Sequence, residues 1–70
     1  MGRIAAIGES IRVQGLALAG VLILPGDDPQ AVRTRWREMP ADVEIVLLTP
    51  RAADALDPDA PGPLTAVLPP

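Results

Sequence analysis

Near its start the chain contains Arg3-Ile4-Ala5-Ala6-Ile7-Gly8-Glu9-Ser10, followed by Gly15-Leu16-Ala17-Leu18-Ala19-Gly20 and then by Val21-Leu22-Ile23-Leu24. A short apolar run ends at Gly-Glu-Ser, an alanine-rich segment between two glycines follows, and a second apolar run comes next. The apolar residues of each run are continuous rather than alternating, as in strands that are covered on both faces. This order predicts a strand, a turn, a helix and a second strand parallel to the first.

The first crossover is expected to be helical. Ser10 is a suitable capping residue, and the apolar positions of the predicted helix are Ile11, Leu16, Leu18 and Ala19. Gly15 weakens a helix by roughly 1 kcal/mol relative to Ala, so we expect it to serve a close approach of the helix to the sheet. Gly20 is expected to end the helix.

A second helix is predicted by Asp28 followed by Pro29, which pairs a capping side chain with a residue pre-set for the first turn. It should run to about Glu38, before Pro40. Its apolar stripe consists of Val32, Trp36 and Met39.

The remaining chain repeats the same pattern. A third strand is predicted over Val43 to Leu48, Thr49-Pro50 starts a short third helix, and a fourth strand covers Leu64 to Leu68. The segment from Asp57 to Pro63 is predicted to be a stiff loop. The predicted fold is therefore α/β: one domain over residues 1–70, with a small four-stranded parallel sheet and three crossover helices in the Rossmann-like or receiver-like order β-α-β-α-β-α-β.

Composition limits the possible functions. Seventy residues bury a marginal core, and the chain has no Cys or His to reinforce it, so a partner surface is expected. The net charge of −3 gives no basic field for nucleic acid. The longest apolar stretch, Gly15 to Leu24, is about half of the roughly 20 residues that cross a bilayer. The absence of Cys is consistent with a reducing compartment.

No catalytic motif is found. Gly8-Glu9-Ser10 lacks the later glycines of a dinucleotide fingerprint, and Val21-Leu22 stands where a phosphate loop needs Lys and Ser or Thr. A receiver-type phospho-acceptor needs an Asp at the end of the third strand, where this chain has Thr49. Asp27-Asp28 is the densest carboxylate pair, and a capped helix start explains it better than a metal. We therefore expect no catalytic, cofactor-binding or metal-binding residue and no small-molecule substrate.

A contact surface is the remaining possibility. Arg33 and Arg37 lie one turn apart beside Trp36, and Arg and Trp are favoured at interface hot spots. These three residues are the predicted partner-binding group. The alternative is that Trp36 covers the edge of the core while both arginines are only hydrated.

Five segments in register resemble a known family. They are I-A-A-I-G-E at residues 4–9, G-L-A-L-A-G-V at 15–21, D-P-Q-A at 28–31, E-I-V-L-L-T at 44–49 and the final V-L-P-P. Together they are similar to the small central-stalk subunit of the V-type and A-type (vacuolar/archaeal) ATPases. Each segment alone is mostly aliphatic and glycine, but their order and spacing agree over nearly the whole chain.

The resemblance implies a Rossmann-like domain that docks on the coiled-coil subunit of the rotor. Such a domain turns with the shaft that couples ATP hydrolysis or synthesis to H⁺ or Na⁺ movement, and it carries no catalytic residue. It would be cytoplasmic and peripheral to the membrane, without inserting into it.

The sequence departs from the family pattern in three places. Leu16 replaces an aromatic residue, the third helix is cut to about one and a half turns, and the C-terminal helix that follows the fourth strand in the family is absent. We therefore expect docking to depend on the globular portion.

Two other hypotheses stay open. One is a degenerate receiver-like adaptor that binds a protein outside any ATPase, and the other is a minimal hydrolase or nucleotide-binding enzyme.

Overall fold

The computed structural model of the chain describes residues 2–15, 20–57 and 61–69. The elements in chain order are β1 Arg3–Gly8, α1 Ser10–Val13, β2 Leu22–Pro25, α2 Pro29–Arg37, β3 Val43–Leu48, α3 Pro50–Ala55 and β4 Leu64–Val67. All neighbouring strands pair in parallel, in the order β2-β1-β3-β4. The predicted α/β class with a four-stranded parallel sheet is confirmed. No helix among the described residues has the length and apolar character needed to cross a membrane.

The helices α2 and α3 begin at their predicted capping pairs. The Asp28 carboxylate accepts a hydrogen bond from the Ala31 N–H at 2.7 Å, and Pro29 occupies the first turn. The Thr49 hydroxyl oxygen likewise accepts from the Ala52 N–H at 3.3 Å. Both caps satisfy backbone donors that the helix itself leaves unpaired.

The main core lies between the sheet and these two helices. Val32 of α2 and Ala52 of α3 close over an apolar cluster whose strand members are Ala5, Ile7, Val43, Val46 and Leu48. Trp36 and Met39 are partly buried and pack against the same cluster, which confirms the predicted stripe. The centre of this core is the pair of neighbouring strands β1 and β3.

The first crossover differs from the prediction. Its helix, α1, is a single turn of four residues that begins after Glu9, and the Ser10 side chain does not cap it. The Ser10 hydroxyl instead donates to the Asp27 carboxylate at 2.8 Å. The expected apolar positions Leu16, Leu18 and Ala19 lie outside the described residues. The prediction of three crossover helices is therefore slightly off at α1, which is a single turn without a side-chain cap.

The predictions for the two glycines of this crossover, Gly15 and Gly20, have different outcomes. No described atom lies within 4 Å of the position that a Cβ on Gly15 would take, so the expected close approach to the sheet is not found. Gly20 adopts a positive φ of 78° in the turn before β2, which favours glycine at this position.

The second face of the sheet is only partly covered. The helix α1 packs against β1 and β2, where its Val13 is fully buried. The strand β4 packs mainly against β3, and all four of its residues are exposed. The fold is thus well covered by helices on one face and thinly covered on the other.

Substitution of two isoleucines of β1 compares how much the covered and the uncovered face of the sheet contribute to stability. Ile7 is fully buried, whereas Ile4 is 43% exposed. We expect Ile7→Ala to lower the free energy of unfolding by about 2–5 kcal/mol because it leaves a cavity in the core. We expect Ile4→Ala to cost about 1 kcal/mol or less. Urea unfolding followed by circular dichroism measures both, and equal losses would contradict this assignment of faces.

Candidate functional site

The carboxyl edge of the sheet is the first place to look for chemistry. The connection that contains α1 runs from β1 to β2, which lies on one side of β1. The connection that contains α2 runs from β2 to β3, which lies on the other side of β1. Ligands of open α/β sheets bind where the connections diverge in this way, outside the carboxyl ends of the strands. Here that position lies between β1 and β3, and it holds a cavity of about 380 Å³ lined by Glu9, Asp28, Arg51 and Asp54 among others.

Thr49 lies at the same edge of the sheet, directly after β3. It is fully buried at the end of β3, and its N–H donates to the Ile7 carbonyl at 3.2 Å. Its side chain lies so close to Gly8 that a Cβ on Gly8 would collide with it. Because its hydroxyl oxygen also caps α3, Thr49 ties the ends of β1 and β3 to the start of a helix.

Glu9 also lies at this edge and lines the cavity. Hydrogen bonding from the Thr49 hydroxyl, and next from its own backbone N–H, holds the pKa of Glu9 below its usual value of 4.5. Burial opposes this shift, while Arg51 and Arg12 add a smaller favourable charge effect. The Arg51 Nε lies 4.0 Å from the Glu9 Oε1 and is largely exposed. The other oxygen, Oε2, is buried without a hydrogen-bond partner among the described residues.

Asp27 joins the two crossovers that meet at this edge. Its carboxylate accepts from the Ser10 N–H at 2.9 Å and from the Ser10 hydroxyl at 2.8 Å. These two bonds lower the pKa of Asp27. Of the carboxylate pair Asp27-Asp28, Asp28 therefore caps α2, while Asp27 is hydrogen-bonded to the first residue of α1. Among residues 2–15, 20–57 and 61–69, no group of three or more Asp, Glu, His or Cys is placed to hold a metal ion.

The predicted partner-binding residues are brought together. Arg33, Trp36 and Arg37 line one shallow groove of about 270 Å³ together with Gln30, Leu56 and Asp57. Both arginines are exposed. Trp36 is half-buried against the core, and Gly62 lies on its ring so closely that a Cβ there would be 2.6 Å from the Trp36 Cζ2. Trp36 therefore already serves as a structural cover, and its free surface is limited.

A second exposed surface is absent from the sequence predictions. Strand register places Ile4, Ile45 and Leu64 side by side on β1, β3 and β4. They lie on the face opposite α2 and α3, and they are 43%, 38% and 75% exposed. We call the surface that carries this row the open face. Continuous apolar strands predict cover on both faces, but which residues are left uncovered depends on strand order and register.

Comparison with known proteins does not assign this chain to a family. No family model matches it, and no curated protein is found to match. The functional assignment therefore depends on the residues and their geometry.

The Glu9 carboxylate should make stability depend on pH. Because its pKa is lower in the folded protein, the charged form stabilises the fold above pH 4.5, and this contribution is lost as the pH falls below that value. We expect Glu9→Gln to lower the free energy of unfolding at pH 7 by about 1 kcal/mol. We also expect it to flatten the loss of stability on acidification.

Urea unfolding at a series of pH values from neutral to strongly acidic measures this effect. Glu38→Gln, which removes an exposed carboxylate at the end of α2, is the matched control for the change in net charge. If Glu9→Gln and the control had the same pH profile, the role given to Glu9 would be wrong.

Proposed function

We propose that this chain is a non-catalytic central-stalk subunit of a V/A-type rotary ATPase. In this role it binds the coiled-coil stalk subunit and turns with the shaft that couples ATP hydrolysis or synthesis to H⁺ or Na⁺ movement. It would then be cytoplasmic and attached to the membrane only through the complex. The basis for the family is the set of five sequence segments that resemble the small central-stalk subunit of these ATPases.

The observation that carries the proposal is the use of polar groups at the carboxyl edge of the sheet. An α/β enzyme keeps its reactive side chains there. In this chain, Thr49 and Asp28 cap helices, and Asp27 is bonded to Ser10. Each of these three groups has a local structural role, whereas Glu9 keeps one buried oxygen without a hydrogen-bond partner among the described residues. No His or Cys is present to act as a base or nucleophile near neutral pH. This arrangement favours a binding function over a catalytic one.

The proposed mechanism is mechanical. A rigid domain that buries part of a coiled coil restricts bending and rotation of the helices that it contacts. A specific interface of standard size, about 1,600 Å² in total, is sufficient for stable docking. The partner-binding assignment of Arg33, Trp36 and Arg37 stays a prediction within this proposal.

One observation favours a second candidate, the receiver-like adaptor. The strand order β2-β1-β3-β4 is the order of the first four strands in receiver and flavodoxin-like folds. However, β3 ends at Thr49 rather than at the acceptor Asp of a receiver. This candidate would therefore bind a protein partner without accepting a phosphoryl group.

Copurification separates the two candidates. When the chain is co-expressed with the coiled-coil central-stalk subunit of the same organism's rotary ATPase, we expect a stable one-to-one complex in size-exclusion chromatography with light scattering. The reason is that about 1,600 Å² of specific interface supports complexes that survive at micromolar concentration. Elution of the chain as a free monomer beside the folded coiled coil would contradict the proposal and leave the adaptor.

A further inference from the structure

The open face is formed by two registered rows of apolar residues. The first row is Ile4, Ile45 and Leu64. In the second row, one pleat further along the same strands, Ala6 is fully buried, Leu47 is half-buried and Ala66 is exposed. The first row is the more exposed, with Leu64 at 75%. No charged residue interrupts either row, so the exposed surface over β3 and β4 is a continuous apolar strip.

A helix is the element that would be expected to cover this strip. Parallel sheets occur in proteins whose two faces are both packed by helices. The helices α2 and α3 supply this on one face, and α1 supplies it over β1 and β2 on the other. Over β3 and β4, no described helix fills the corresponding position on the open face.

The dimensions of the strip match one helix. Three neighbouring strands span about 10 Å, and the six residues of β3 extend for about 20 Å. A helix with its side chains is about 10 Å wide, and about 13 residues cover 20 Å. A footprint of that size is a few hundred Å², well below the roughly 800 Å² per partner of a stable dimer. The strip therefore supplies one part of a stable docking interface rather than the whole of it.

Charges at the two ends of the strip define its polarity. At the amino end, a Cβ on Gly2 would collide with the Glu44 side chain, which places this acid beside the row that begins at Ile4. At the carboxyl end, the Arg12 guanidinium donates to the Pro69 carbonyl at 2.8 Å, just after β4. A complementary helix would place a basic residue near Glu44 and an acidic residue near Arg12.

We propose that the open face docks one amphipathic helix of a coiled-coil partner. The helix lies along β3 and β4, with apolar residues at i, i+3 or i+4 and i+7 against Ile45 and Leu64. A basic residue faces Glu44 and an acidic residue faces Arg12. This inference depends on the proposed function for the identity of the partner, the coiled-coil central-stalk subunit, and it names the surface that binds it.

The geometry favours this surface over the groove at Arg33, Trp36 and Arg37. In the groove, the aromatic side chain is half-buried in the fold's own core and is covered by Gly62. On the open face, three large apolar side chains are exposed together without such cover. Apolar surface already buried within the free protein adds little on binding, whereas the open face would be newly removed from water.

The test is a titration of the folded chain with the coiled-coil central-stalk subunit by isothermal calorimetry. We expect Leu64→Glu to raise the Kd at least about tenfold, because it places a charge in an apolar contact. Val67→Glu is the matched control, since Val67 lies on the same strand, is 57% exposed, and points to the opposite face. We expect it to change the Kd by less than about threefold.

A charge variant tests the polarity independently. We expect Glu44→Lys to weaken binding by about threefold or more, with the difference shrinking as salt is raised, because the lost attraction is electrostatic and exposed. Circular dichroism verifies that each variant is folded, and Leu64→Ser replaces Leu64→Glu if the latter is not.

The outcomes distinguish the two proposals. If the wild-type chain does not bind the coiled coil, the proposed function is wrong, and this inference is wrong with it. If wild type and Leu64→Glu bind equally while Arg33→Glu weakens binding, the docking surface is the groove and only the present inference is overturned. It is also overturned if the wild-type chain alone is a dimer that Leu64→Glu dissociates, since the occupant is then a second copy.

Discussion

The structure depends on the need of a parallel sheet for cover on both faces. Each strand of this sheet exposes apolar side chains on two sides, because β1, β2 and β3 are almost continuously apolar. On one side, Val32 and Ala52 close the core over Ile7 and Val46, which are fully buried. On the other side, a one-turn helix leaves the row at Ile45 and Leu64 in water. The choice of the open face as the proposed docking surface follows from this inequality between the two faces.

The helices that the sequence predicts correctly are those with local start markers. Asp28-Pro29 and Thr49-Pro50 each place a side-chain acceptor before a residue with a preset φ, and such interactions act within four residues. Ser10 lacks a following proline, and its hydroxyl bonds Asp27 in the next crossover instead. That competition is between segments distant in sequence, so a local pattern did not predict it.

The open face could not be predicted because it depends on sheet order and register. Ile4, Ile45 and Leu64 belong to three separate segments and meet only when β3 pairs with both β1 and β4. A register shift between Arg3 and Ile4 further decides which residue of β3 lies beside Ile4. By contrast, Arg33, Trp36 and Arg37 are close in sequence on one helix, so their proximity was predictable. The burial of Trp36 under Gly62 was not, because it involves the distant loop before β4.

Hydrogen exchange of the backbone amides tests most directly whether the uncovered side of the sheet is where the partner packs. The measurement compares the free chain with the chain saturated by the coiled-coil stalk subunit. In the free chain, amides of Leu64–Val67 should exchange faster than those of β1, because β4 is exposed and packs mainly against β3. If the partner packs on the open face, its binding slows exchange in β4 at least about tenfold and leaves Pro29–Arg37 unchanged. Slowing confined to Pro29–Arg37, with β4 unaffected, would contradict docking on the open face.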